Sequence, residues 1–508
     1  MRKLSDTRAK RAKLNIVVSL GCQALVLLCG LIVPRLMIGQ FGSEAYGATA
    51  SISQFLAYIS LLEGGIGGVA RAALYKPLAE GNMQVISEIV SEIKRFFRVI
   101  AFIFVGYVLI LACFFQSISH IQCFDWFSTF LLVIVISIST FAQYFIGISY
   151  SVLLQADQRT YITSIINIST TILNTVMIVI LIYLNSSLIL VKFISSCVFV
   201  LRPIMMWLYI QKHYSLVKAE AKKKNFLSQK WNGLSQHIAF FLYSNTDIAV
   251  LTLLANLKAV AVYSVYYMVV SQIENFTASF STGMEAVFGD MLAKHEMDTL
   301  HRTFGYYETL ISVIATILFS VTAVLIIPFV RIYTVGVTDA NYIASTFSIL
   351  LILASLVACL RKPYHNIVIA AGHFKETQFA AYGEAIINIV LSVCLVIKFG
   401  LIGVAIGTLV ATTFRFLYYA VYLTNHIFNR KIGLFIRRTA VNIGTYAVIY
   451  MIGCQICMYW NFTNYFMWAL CGVALVVMAV AVTLFSSCIF YREDVKKMIK
   501  WRKSNEIR

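Results

Sequence analysis

Apolar runs long enough to cross a bilayer recur along the whole chain, separated by short polar segments that carry most of the lysines and arginines. A spanning helix needs about 20 mainly apolar residues. Fourteen runs have that character: 14–39, 45–72, 97–117, 126–153, 161–184, 188–210, 234–254, 259–285, 305–327, 342–362, 377–397, 402–425, 439–459 and 465–491. The pattern predicts an all-α polytopic membrane protein of about 14 transmembrane helices. The connecting segments on either side are too short to hold a catalytic domain, so the chemistry is expected between helices. That points to transport and away from an enzyme.

Composition agrees with this reading. Of 508 residues, 60% are apolar and 12% charged, against a usual charged share of about 25%. A soluble enzyme and a disordered hub are both excluded. The net charge of +19 admits nucleic acid, a membrane surface or an acidic substrate. Its distribution decides among them. One set of segments holds 34 of the 41 Lys+Arg, including residues 2–13, 212–230, 430–438 and 492–508, whereas Lys192, Lys258, Arg331 and Lys398 fall on the other side. The positive-inside rule then puts both termini in the cytoplasm. The basic excess reports topology: it meets anionic inner-leaflet lipids and needs no nucleic acid. Two amphipathic stretches are expected on that leaflet, one at 83–97 (Val85, Ile86, Ile89, Val90, Ile93, Phe97) and one in the tail from Val495. Among eleven cysteines, Cys454 and Cys457 form a lone CxxC, too few ligands for a structural zinc site. They read as small lipid-buried residues, and no cofactor is implied.

An internal repeat appears at an offset of 213–214. Leu78-Ala79 matches Leu292-Ala293, Asn174 matches Asn388, and Arg202, Tyr209 and His213 match Arg415, Tyr422 and His426. The expected division is a basic N-terminus (1–13), a six-helix lobe (14–210), a polar linker (211–233), a second six-helix lobe (234–425), two extra helices (426–491) and a basic tail (492–508). An even number of spans per lobe makes the repeat parallel.

With the charges near the run ends assigned to the connecting loops, Arg361, Lys362 and Lys192 among them, seven candidates remain within the spans: Arg35, Arg202, Arg415, Glu63, Asp247, Glu274 and Glu384. A charge at mid-bilayer costs at least about 2.5–3.5 kcal/mol on insertion scales, so it faces a partner or a wet cavity. Arg35, Arg202 and Arg415 suit phosphate, because a guanidinium forks onto phosphate oxygens and keeps its charge when desolvated. Pairing with carboxylates as interhelical glue is the competing reading. Glu384 and Asn388 share a helical face. With Asp247 they make a candidate Na⁺ or H⁺ site, against the alternative of a structural hydrogen-bond cluster. Glu63, Gly64, Gly65, Gly67 and Gly68 read first as helix packing and second as a hinge. The tyrosines at 263, 266 and 267 and at 418, 419 and 422 read as interfacial before they read as sugar-stacking.

The stretch PRLMIGQFGSEAYGATASISQFLAYISLLEGGIGGVARAALYKPLAEGN, residues 34–82, resembles bacterial polysaccharide flippases of the O-antigen (Wzx) type. These belong to the group that includes MATE drug exporters and the peptidoglycan lipid flippase. The resemblance implies a MATE-like fold in the bacterial inner membrane. It also implies alternating-access transport of an undecaprenyl-diphosphate-linked glycan destined for O-antigen, capsule or exopolysaccharide, with other polysaccharide-assembly proteins as further partners. It makes Arg35, Arg202 and Arg415 diphosphate or acidic-sugar contacts. It places an ion site near Asp247, Glu384 and Asn388. A peptidoglycan-precursor flippase, a MATE-type drug exporter and a membrane glycan polymerase or ligase stand as alternatives.

Overall fold

A computed structural model describes residues 2–63, 66–216, 234–281, 283–373, 375–428 and 431–490. These residues form sixteen α-helices, and no strand occurs among them. They divide into two compact units, one of residues up to 241 with Asn256–Ala261, the other of Leu242–Ala255 with the residues from 262 onward. Gly64, Gly65, most of the expected linker and the basic tail lie outside the described residues.

The first unit holds α1 (Arg2–Ala57), α2 (Ile66–Glu80), α3 (Met83–Ser119), α4 (Trp126–Ala142), α5 (Ile148–Ala156), α6 (Thr160–Tyr183) and α7 (Leu188–His213). After α8 (Leu234–Leu254) and α9 (Leu257–Ser279), the chain continues through α10 (Met284–Ala293), α11 (Met297–Tyr333), α12 (Ser345–Ala370), α13 (Gln378–Phe399) and α14 (Leu401–His426). It ends with α15 (Gly433–Met458) and α16 (Tyr465–Phe490).

Among the described residues, eleven helical stretches are long and apolar enough to cross a membrane. The difference from fourteen has identifiable causes. Runs 14–39 and 45–72 are carried by one helical stretch broken at Gly42, whose φ of 84° and ψ of 168° are accessible to glycine and strained for other residues. The second run ends in a 3₁₀ turn at Tyr58–Glu63 before α2 begins. Helix α9 is too rich in tyrosine, serine and amide side chains to score as apolar, and α8 contributes only the short stretch Asn245–Leu254. Run 126–153 is continuous but passes through a π-helical turn at Gln143–Gly147.

The element order repeats. Helices α3 and α11 each have 37 residues, and α7 and α14 each have 26. The packing repeats with it: α3 meets α4 as α11 meets α12, α4 meets α7 as α12 meets α14, and α6 meets α7 as α13 meets α14. Helices α15 and α16 have no counterpart. They pack on α11 through Val321, Val324, Leu325, Ile449, Cys471 and Leu475.

Two sequence expectations are corrected here. In the 83–97 stretch, Ile86, Ile89, Val90, Ile93 and Phe97 are buried in the first unit's core, so that apolar face is packed and is no lipid anchor. The stripe has the helical period, but a period cannot say which apolar surface it will meet. Tyr263, Tyr266 and Tyr419 are likewise buried, and each has a hydrogen-bond partner inside the protein.

Candidate functional site

Helices α12, α13 and α14 assemble the most charged buried cluster of the second unit. Glu384 projects from α13 with no exposed surface. Arg415, one helix on, donates through Nη1 to Glu384 Oε2 at 2.5 Å. Arg361 of α12 pairs with Oε1. Arg415 also donates to the Tyr419 hydroxyl through Nη2 at 2.9 Å and Nε at 3.2 Å, and its guanidinium lies 5.1 Å from the Tyr419 ring centre. His365 Nδ1 is 3.4 Å from the same hydroxyl. The glycines make this closeness workable. A Cβ at Gly407 would stand 2.5 Å from Ser392 Oγ and 2.9 Å from Ser392 N, so only glycine lets α14 approach α13 there.

A turn further along the same two helices the charge is different. Asp247 of α8 is buried and accepts from Tyr263 Oη at 2.9 Å. Thr408 Oγ1 lies 3.0 and 3.2 Å from its two oxygens. Thr408 in turn accepts from Asn388 Nδ2 at 3.0 Å. Among the described residues Asp247 has only such neutral neighbours. Among the described residues Asn388 Oδ1 and Ser392 Oγ find no hydrogen-bond partner, and both atoms are buried. The spacing of Glu384 and Asn388 therefore serves two sites. Asn388 joins Asp247 through Thr408, whereas Glu384 is taken up by two arginines.

In the first unit, Arg202 occupies the repeat position of Arg415. Its Nε donates to Thr170 Oγ1 at 2.8 Å and its Nη2 to Thr171 Oγ1 at 2.9 Å, and Phe199 covers the guanidinium at 4.2 Å. Thr170 precedes Asn174 by one helical turn, as Glu384 precedes Asn388. The repeat thus preserves the arginine and the asparagine and replaces the carboxylate by hydroxyls. Among the described residues Arg202 has no carboxylate partner. Asn174 Oδ1 is also buried and has no hydrogen-bond partner among the described residues. The tyrosine–histidine pairs repeat as well. Tyr209 stacks on His213 at 4.1 Å and Tyr422 on His426 at 4.4 Å. Arg35, in α1, is half-buried in the first unit. Arg35 and Arg202 thus belong to one unit and Arg415 to the other.

Glu63 closes the 3₁₀ turn and accepts a hydrogen bond from Tyr144, which lies in the π-helical turn. Among the described residues a Cβ at Gly68 would meet nothing within 4 Å, and one at Gly67 only Arg71 Nη1 at 3.8 Å. Neither glycine is in close contact with another described helix.

Four charges carried into helices escaped the sequence reading. Arg361 and Lys362 were assigned to a loop but lie inside α12, where Lys362 Nζ donates to the Glu274 carbonyl at 3.0 Å. Ser355 hydrogen-bonds the Glu274 side chain, and Lys362 and Arg361 are its charged neighbours. Glu308 of α11 is buried, with Tyr364 on one oxygen and Arg438 on the other. Lys192, assigned to an outer loop, lies in the first turns of α7. The signal for Arg361 was present in its neighbours: Leu360 and Pro363–Ile369 continue an apolar period past it.

No family model matches the sequence, and no curated protein does. Solved structures do resemble it. "Lipid II flippase MurJ, inward closed conformation" has a TM-score of 0.66 and 16% identity, covering 95% of this chain and 99% of that one. An inward-facing multidrug resistance MATE family transporter of the MOP superfamily has a TM-score of 0.57 and 14% identity, covering 80% and 98%. The eukaryotic MATE transporter AtDTX14 has a TM-score of 0.58 and 12% identity, covering 82% and 96%. The chain therefore has the MATE-like fold of a multi-pass membrane protein: two six-helix halves and two added helices.

Proposed function

We propose that this protein is a transporter that flips a polyprenyl-diphosphate-linked oligosaccharide across the bacterial inner membrane by alternating access. The observation that carries the proposal is Arg202. It is a cation in the middle of a spanning helix, oriented by two threonine hydroxyls, with no carboxylate to neutralise it among the described residues. A guanidinium held in that way is a receptor for an anion, and a diphosphate supplies paired oxygens for its remaining donors. Arg415 is compensated by Glu384 and serves the second half as a fixed strut. Arg35 is proposed as a further diphosphate contact in the same unit as Arg202.

The Asp247 cluster is proposed as the coupling site. A buried carboxylate among neutral donors draws its balancing charge from outside the side-chain set. Asp247, Thr408 and the unpartnered Asn388 Oδ1 and Ser392 Oγ offer hard oxygen ligands of the kind Na⁺ accepts, and a proton on Asp247 is the alternative. The test of the function is a strain lacking this chain. Undecaprenyl-linked repeat units accumulate on the cytoplasmic face and are cleared by complementation. An unchanged lipid-linked pool refutes it.

One observation favours a second reading. The structure named as a lipid II flippase covers 95% of this chain, whereas the two MATE structures cover 80% and 82%. A peptidoglycan-precursor flippase is distinguished by lysis on depletion.

A further inference from the structure

Helices α15 and α16 stand outside the repeat and take no part in the Arg202, Glu384 and Asp247 clusters. The sulfurs they carry are placed together. Cys457 lies in the last turn of α15 and Cys471 near the start of α16, and their Sγ atoms are 3.8 Å apart. Cys454 sits one turn before Cys457 on the same face of α15. Residues 459–464 connect the two helices, and Met458 and Tyr459 beside them are among the most exposed side chains of the protein. Both sulfurs thus lie within about two helical turns, on the order of 10 Å, of the connected end of the hairpin. Trp468 Nε1 donates to the Leu325 carbonyl at 3.0 Å, and Cys471 is buried against Val324, Leu325 and Leu475. Packing therefore holds the Cys471 sulfur in place, while half-buried Cys457 is the accessible partner.

We infer that Cys457 and Cys471 form an oxidisable dithiol, which takes a disulfide from a small-molecule disulfide reaching the 459–464 end of the hairpin. A disulfide needs its sulfurs about 2.05 Å apart, so side-chain rotation has roughly 1.8 Å to close. The Cys457 thiolate attacks the small disulfide, forming a mixed disulfide and releasing one thiol. The Cys471 thiolate then attacks the Cys457 sulfur and displaces the second. The cysteine pair loses two electrons and two protons, and the small disulfide gains both. The product staples α15 to α16 at their connected ends, closing a short loop in the part of the chain that the repeat does not brace.

The test uses the full-length protein in membrane vesicles exposed to oxidised glutathione, followed by peptide mapping without reduction. The expected product is a peptide pair joined through Cys457 and Cys471. Its yield falls at least tenfold in Cys471→Ser and persists in Cys454→Ser. Cys457 left free, left as a glutathione adduct, or joined to Cys454 overturns the inference.

Discussion

Arg415 meets Glu384 at 2.5 Å between α14 and α13, and Arg361 holds the other carboxylate oxygen. One acid thus neutralises part of two buried cations. Removing one partner of a buried ion pair costs about 3–5 kcal/mol, because the remaining charge keeps its desolvation penalty without its counter-charge. Glu384→Gln is expected to lower the thermal midpoint and the recovered yield of the detergent-solubilised protein. A midpoint equal to that of the unaltered protein contradicts the strut.

The repeat offers an exchange experiment. Thr170 stands where Glu384 stands in the second half, so Thr170→Glu supplies Arg202 with the acid that Arg415 already has. The variant is expected to fold to normal levels, since it copies an arrangement the chain uses elsewhere, and to lose at least tenfold in glycan export. Surface glycan staining against protein level reads both. Normal export at normal abundance counts against an anion site at Arg202.

At the proposed coupling site, Asp247→Asn removes the charge and keeps the shape. Transport in proteoliposomes is expected to lose its response to an imposed Na⁺ or proton gradient. Thr408→Ser keeps the hydroxyl that bridges Asn388 and Asp247 and retains that response, whereas Thr408→Val loses it. Gradient dependence that survives in Asp247→Asn places the coupling elsewhere.

Gly407 permits the α13–α14 contact beneath both clusters. Gly407→Leu inserts a side chain against Ser392 and forces the helices apart, an overpacking cost of about 1–3 kcal/mol or more. A reduced thermal midpoint with a larger loss of transport is the expected pattern. Full transport shows that the contact is dispensable.

Much of the fold was legible because lipid imposes a simple rule: a run of about 20 apolar residues becomes a helix. The repeat was legible from Arg202 and Arg415, Asn174 and Asn388, and Tyr209 and Tyr422, residues whose chemistry is rare inside apolar runs. What the sequence hid was pairing. Asp247 and Thr408 lie far apart in the chain and are joined only by packing. Arg361 and Glu308 sit at the margins of apolar runs, where hydropathy alone assigns them to loops, although their helices carry them into buried ion pairs. The grouping of Glu384 with Asn388 rested on helical periodicity, which fixes a shared face of α13 and leaves open which neighbour each residue on that face meets.

The most direct test of the account is export in strains carrying Arg202→Ala or Arg202→Lys. The threonine cradle predicts that Arg202→Ala is made at normal level, accumulates lipid-linked oligosaccharide on the cytoplasmic face and loses surface glycan. Arg202→Lys keeps the charge but not the fork, and is predicted to export at an intermediate rate. Normal surface glycan in a well-expressed Arg202→Ala strain, with no accumulated lipid-linked intermediate, contradicts the account.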